Sequence, residues 1–139
     1  MQEEILRIAI WIIERSETAI IGSIDQDDYP NIKAMLKPRE KDSLKTFYFT
    51  TNTSSMRIKQ FQKNPKASVY FFDSIQFQWI MLRGTMEIIQ DQIVKDRIWR
   101  DWDTAYYPWW ITDPDYSILK FTTKNCRMYN QFRSYDFEV

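Results

Sequence analysis

Apolar residues at Ile5, Ile8, Ala9, Ile12 and Ile13 recur at the spacing of one helix face, so an amphipathic helix is expected first. From Thr18 the period shortens towards two. Ala19–Ile24 reads as a strand, Asp25–Asp28 as a turn and Asn31–Leu36 as the returning strand. Pro38–Lys45 is a charged loop, and Thr46–Thr51 alternates Phe47 and Phe49 against Tyr48 and Thr50. A short helix carrying Met56, Ile58 and Phe61 follows and is stopped at Asn64-Pro65, because proline cannot continue a helix and restricts its predecessor. Strands are predicted at Ala67–Phe72, Gln76–Ile89, Tyr116–Thr122 and Arg127–Phe132, with a helix over Asp91–Trp102. Consecutive strands joined by short connections imply an antiparallel barrel of six or seven strands with flanking helices. In the second strand, Ile32, Ala34 and Leu36 are expected to face the barrel interior, leaving Lys33, Met35 and Lys37 outside.

Composition narrows the chemistry more than the fold. The 139 residues suit a single domain, and 17% aromatic content supplies ample core surface. One cysteine, Cys126, excludes an internal disulfide and reads as a small buried apolar residue. No histidine occurs, which removes Ser-His triads, histidine acid–base catalysis, histidine-ligated haem and the common zinc sites. Nineteen basic residues balance nineteen acidic ones, so nothing global argues for nucleic acid. The opening segment lacks signal-peptide character: Glu3 and Glu4 precede it, Arg7 interrupts it, and no small-residue cleavage site follows. It is also too short to cross a bilayer, and a cytoplasmic protein is expected.

The densest chemistry lies in Thr50-Thr51-Asn52-Thr53-Ser54-Ser55, between the Thr46 strand and the Met56 helix. A hydroxyl-rich turn at a helix start offers free N–H groups, side-chain donors and the positive end of a dipole. Arg57 adds a full charge one turn in, and together these suit a phosphate. An ordinary N-cap is the simpler explanation, but it accounts for only one hydroxyl.

This segment, TTNTSSMRIKQFQKNP, is similar to the strand-to-helix element of flavin-binding split-barrel proteins related to pyridoxamine 5′-phosphate oxidase, and most of all to their general-stress-protein branch. The same resemblance runs in order through Tyr29–Met35, Leu82–Glu87 and Asp113–Tyr116. It implies FMN as cofactor, a homodimer with the flavin at its interface, and an oxidoreductase-type protein. It assigns Lys33, otherwise a solvated strand lysine, to the flavin phosphate together with Ser54, Ser55 and Arg57. It places Met35, Thr50 and Thr51 along the ring and ribityl side, and brings Tyr129 close to the flavin.

Three departures bear on activity. Met56 stands where the oxidases carry a second basic residue. Trp79 and the pair Trp109-Trp110 stand where branch members often have glycine. The tryptophans, Trp79 and Trp110 in particular, either cover the flavin ring by stacking or fill the site, and the latter describes a non-catalytic or cofactor-free dimer. The arginine-rich C-terminal elements of true pyridoxamine-phosphate oxidases are absent, which argues against vitamin B6 oxidation. Asp113-Pro114-Asp115 reads as a turn or cap, and the aromatics Trp99, Trp102, Tyr106 and Tyr107 as packing.

Overall fold

The protein is described over residues 2–139 by a computed structural model. Helix α1 (Gln2–Arg15) carries Glu3 and Glu4 in its first turn and Arg15 in its last, complementing the helix dipole. Its buried face is Ala9, Ile12 and Ile13. Each isoleucine so buried contributes roughly 1.5–3 kcal/mol. The Ser16 hydroxyl ends the helix by donating to the Ile12 carbonyl at 2.8 Å.

Eight strands follow in one antiparallel sheet: β1 (Thr18–Ile24), β2 (Pro30–Leu36), β3 (Glu40–Asp42), β4 (Thr46–Asn52), β5 (Lys66–Asp73), β6 (Gln78–Ile89), β7 (Tyr116–Asn130) and β8 (Arg133–Glu138). The expected mainly β architecture is present, with β3 and β8 added to the strands that the pattern predicts. Spatial order is β2-β1-β5-β6-β7-β4-β3, and β8 also pairs with β7. One edge of β7 runs along β6, whereas its other edge is shared: Tyr116–Thr122 pairs with β4 and Asn125–Asn130 with β8. The two strands expected in that region are therefore one. The sheet coils around a core that includes Ile21, Phe47, Phe49, Val69, Phe71, Ile80, Leu82, Phe121 and Met128. Helix α2 (Met56–Lys63) and helix α3 (Gln92–Ile98) flank it. The helix predicted over Asp91–Trp102 stops at Ile98 and resumes as a 3-10 turn, Asp101–Ala105.

A bulge between Arg83 and Gly84 lets β6 bend across β7. Gly84 is required there, because a Cβ would lie 1.9 Å from the Thr122 carbonyl oxygen.

The pairing of β2 reverses one expectation. Met35 pairs with Ala19 and Lys33 with Ile21, and Ala19, Ile21 and Met35 are all buried. Lys33 and Met35 therefore face inward. Ile32, Ala34 and Leu36 stand outside, with Ile32 69% and Leu36 53% exposed. Alternation separates the two sets, but only cross-strand pairing decides which is inside.

Candidate functional site

The site grows from the junction of β4 with α2. Thr51 is buried at the end of its strand, and Ser55 occupies the N-cap without making a side-chain cap. Its hydroxyl lies 3.4 Å from the Thr51 hydroxyl instead. Arg57 is half-buried and donates one long bond, from Nη2 to Thr51 Oγ1 at 3.3 Å. Its Nε is buried without a partner, as is Nε2 of Gln60. Residues three apart share a helix face, so both orphan donors lie on one side of α2. That side meets β1, where Ser23 Oγ donates to Gln60 Oε1 at 2.5 Å. Ser23 pairs with Asn31, and Lys33 follows two residues on with the same facing, so register places Lys33 on the face that α2 covers. No ion pair among the described residues involves Lys33 or Arg57. Burial holds the Arg57 guanidinium below the usual arginine range.

Asp115 organises the turn from outside. Its carboxylate accepts from Asn52 Nδ2 at 2.7 Å and from the Ser54 N–H at 2.8 Å, and its carbonyl accepts from the Thr53 N–H at 2.7 Å. The Asn52 bond above all, helped by Ser54, holds this carboxyl below its ordinary range against the opposing effect of desolvation. The Ser54 N–H thus already serves an internal anion. Ser54 is exposed, and its hydroxyl also faces the Asp115 carboxylate. The donors turned inward are those of Thr51, Ser55, Arg57 and Gln60.

Tyr107, read in the sequence mainly as packing, is buried in a cluster with Ile98, Tyr116 and Ile118, beside Thr50. Desolvation pushes its phenol up to about 12, with the Thr50 hydroxyl beside it acting the other way. The loop that carries it is clamped by a bidentate pair, Arg39 Nη1 and Nη2 to Asp103 at 2.8 and 2.5 Å, with Asp103 fully buried. Sequence reasoning missed Gln60 and the role of Asp115. Only the spacing of Gln60 from Arg57 could have given a signal.

The remaining candidates lie elsewhere. Trp79 and Tyr129 stack on the outer sheet face, 5.8 Å between centroids and 9° between planes. Thr50 pairs with Ile118, and Ile118 with Ile89. Trp79 is therefore ten residues down β6 from that row, about 30 Å at 3.3 Å per residue. Trp109 and Trp110 are 70% and 60% exposed. Trp110 adopts φ 67°, a left-handed conformation that glycine takes without strain.

The description of a protein family, pyridoxamine 5′-phosphate oxidase like, fits residues 7–135. The chain belongs to that family. A solved relative from Clostridium acetobutylicum, related to general stress protein 26 of B. subtilis, is 36% identical, with a TM-score of 0.91 over 100% of this chain and 97% of that one. General stress protein 26 of Bacillus anthracis str. Sterne shares the fold at 17% identity, with a TM-score of 0.80 over 98% of this chain and 99% of that one. A pyridoxine/pyridoxamine 5′-phosphate oxidase of Pelagibacter ubique (strain HTCC1062) is 24% identical over an alignment of 95 residues that covers 63% of this chain and 44% of the oxidase. This chain thus spans less than half of that curated relative. A heme binding protein from Mycobacterium smegmatis has the same fold at 13% identity, with a TM-score of 0.76 over 96% of this chain and 57% of that one. Within this pyridoxamine 5′-phosphate oxidase-like chain, the split-barrel fold brings the donors of Thr51, Ser55, Arg57 and Gln60 together where β4 meets α2.

Proposed function

We propose that this protein is an FMN-binding flavoprotein of the general-stress-protein type, a homodimer with oxidoreductase activity carried by the flavin. The observation that carries the reading is Arg57, a desolvated cation with a buried, unpartnered Nε and no counter-ion. A buried charge without a partner is costly, and an anion supplied from outside resolves it. Lys33, Ser55, Arg57 and the hydroxyl of Thr51 hold the phosphate, with Ser54 at the rim. Met35, Thr50 and Tyr107 border the ribityl and ring side. When bound, the flavin supplies the electron transfer, and the chain supplies binding, orientation and exclusion of water.

The two separated groups of candidates favour assembly. Trp79 and Tyr129 cannot reach the Arg57 recess of their own chain, but a second copy brings them there. The outer sheet face around Trp79 suits such a contact, since Leu36, Phe72 and Phe77 stand exposed on it or at its end. Trp110, held in a strained conformation on the loop that carries Tyr107, is a further contact to the ring. Haem is disfavoured because the chain has no histidine to ligate it. No helix among the described residues is long and apolar enough to cross a membrane, and a cytoplasmic location fits this reading.

The test is the visible spectrum of the purified protein, with and without added FMN, together with light scattering at micromolar concentration. A flavin band and a dimer are expected. A colourless protein that ignores added FMN would instead support the cofactor-free reading, and a monomer would remove the interface.

A further inference from the structure

A second recess, about 710 Å³, lies across β1, β5, β6 and β7, away from the Arg57 site. Two cross-strand rows on the outer face form its floor. Gly22 pairs with Ser68, Ser68 with Arg83 and Arg83 with Asn125, while Lys66 pairs with Thr85 and Thr85 with Thr122. Lys66, Arg83 and Lys124 line this cleft and no carboxylate does, although the chain as a whole is neutral. Lys66 and Arg83 are diagonal neighbours on adjacent strands, an arrangement of like charges that repels unless an anion sits between them. Arg83 is already aimed, since its Nε donates to Asn125 Oδ1 at 2.9 Å.

Both glycines of the chain line this cleft. Gly84 is explained by the bulge. Gly22 is not: it has no positive φ, and a Cβ there would meet only Ser68 atoms, at 3.7 and 3.8 Å, an ordinary contact. Glycine inside a strand weakens it, and where the protein itself does not fill the space, close approach of another molecule accounts for it. Thr123, which also lines the cleft, keeps a buried hydroxyl without a partner.

We infer that this cleft binds a small molecule carrying two or more phosphate groups, with its slender part laid over Gly22 and its phosphates between Lys66, Arg83 and Lys124. Three cations, flanking hydroxyls and no acid make a set of donors for phosphate oxygens. The volume lies within the usual range of small-molecule sites. The site is separate from the Arg57 site, because its rows face outward while Lys33 faces inward; Ser23, whose hydroxyl is bound to Gln60, marks the edge of the cleft.

The experiment titrates the full chain with pyrophosphate, following backbone amide shifts by NMR and affinity by calorimetry, with citrate at matched ionic strength as the carboxylate comparison. Pyrophosphate is expected to shift the amides of Gly22, Ser68, Thr85 and Lys124, and to bind more tightly than citrate. Arg83→Gln should weaken it about tenfold, the loss of one charge-assisted contact. Gly22→Val should weaken it as well while leaving the melting temperature unchanged or raised, since valine suits a strand and the space is open. Shifts confined to Thr50–Arg57, or affinities unchanged in both variants, would overturn the site. Equal binding of citrate would overturn the assignment to phosphate.

Discussion

Replacing Arg57 by Met removes the charge and keeps a stem of similar length, so that packing along α2 is largely preserved. In the free protein the guanidinium makes one 3.3 Å bond to Thr51, leaves its Nε unsatisfied and is disfavoured by burial. Its loss should therefore leave unfolding stability in urea within about 0.5 kcal/mol, or raise it. With FMN the sign reverses. A charge-assisted contact of roughly 1.5–3 kcal/mol disappears, weakening FMN about ten- to a hundredfold. Riboflavin lacks the phosphate and should bind both proteins alike. Fluorescence quenching with two ligands against two proteins cancels general damage to the fold. The reasoning fails if FMN affinity stays within twofold of wild type. It also fails if riboflavin weakens in parallel, or if the free variant loses more than about 1 kcal/mol, the worth of an ordinary structural hydrogen bond.

Asp103→Asn should destabilise the protein by about 3–5 kcal/mol in urea unfolding, because it leaves Arg39 charged and buried without its partner. At position 110 the usual order of residues should invert. Trp110→Gly is expected to be about 1 kcal/mol more stable than Trp110→Ala, since only glycine accepts φ 67° freely, and thermal melts of the two variants decide it. The Asp115 carboxyl titrates below its ordinary range in the folded protein, so its contribution is fully present above the unfolded value and lost as pH falls through the folded one. Wild type should therefore lose stability more steeply than Asp115→Asn on acidification below about pH 4, and parallel curves would refute the role of this carboxylate in the turn.

The alternating stretches, the Asn64-Pro65 stop and the order of motifs suffice for a mainly β barrel with α2 after β4, because period and proline act locally. Local signals fail where a partner strand makes the decision. Strand β8 begins after a tight turn in which Gln131 and Phe132 take φ 49° and 66°. Neither residue announces a left-handed turn as Asn-Gly would, so nothing in the chain separated β7 from β8. The facing of β2 failed for a related reason. Ile32 and Leu36 are more apolar than Lys33, yet pairing with β1 turns them outward, onto a face that another surface can cover. At the candidate site, Thr51, Ser55 and Arg57 were legible because they are near in sequence and chemically distinctive. Asp115 and Tyr107 arrive from far along the chain, Asp115 held by Asn52 and Ser54 and Tyr107 carried by the loop that Arg39 clamps through Asp103. The sequence by itself determined the elements and the donors of the turn, since these depend on neighbours along the chain. Tertiary structure alone decided which donors stay unsatisfied, because that depends on what the rest of the fold brings, or fails to bring, within hydrogen-bonding reach.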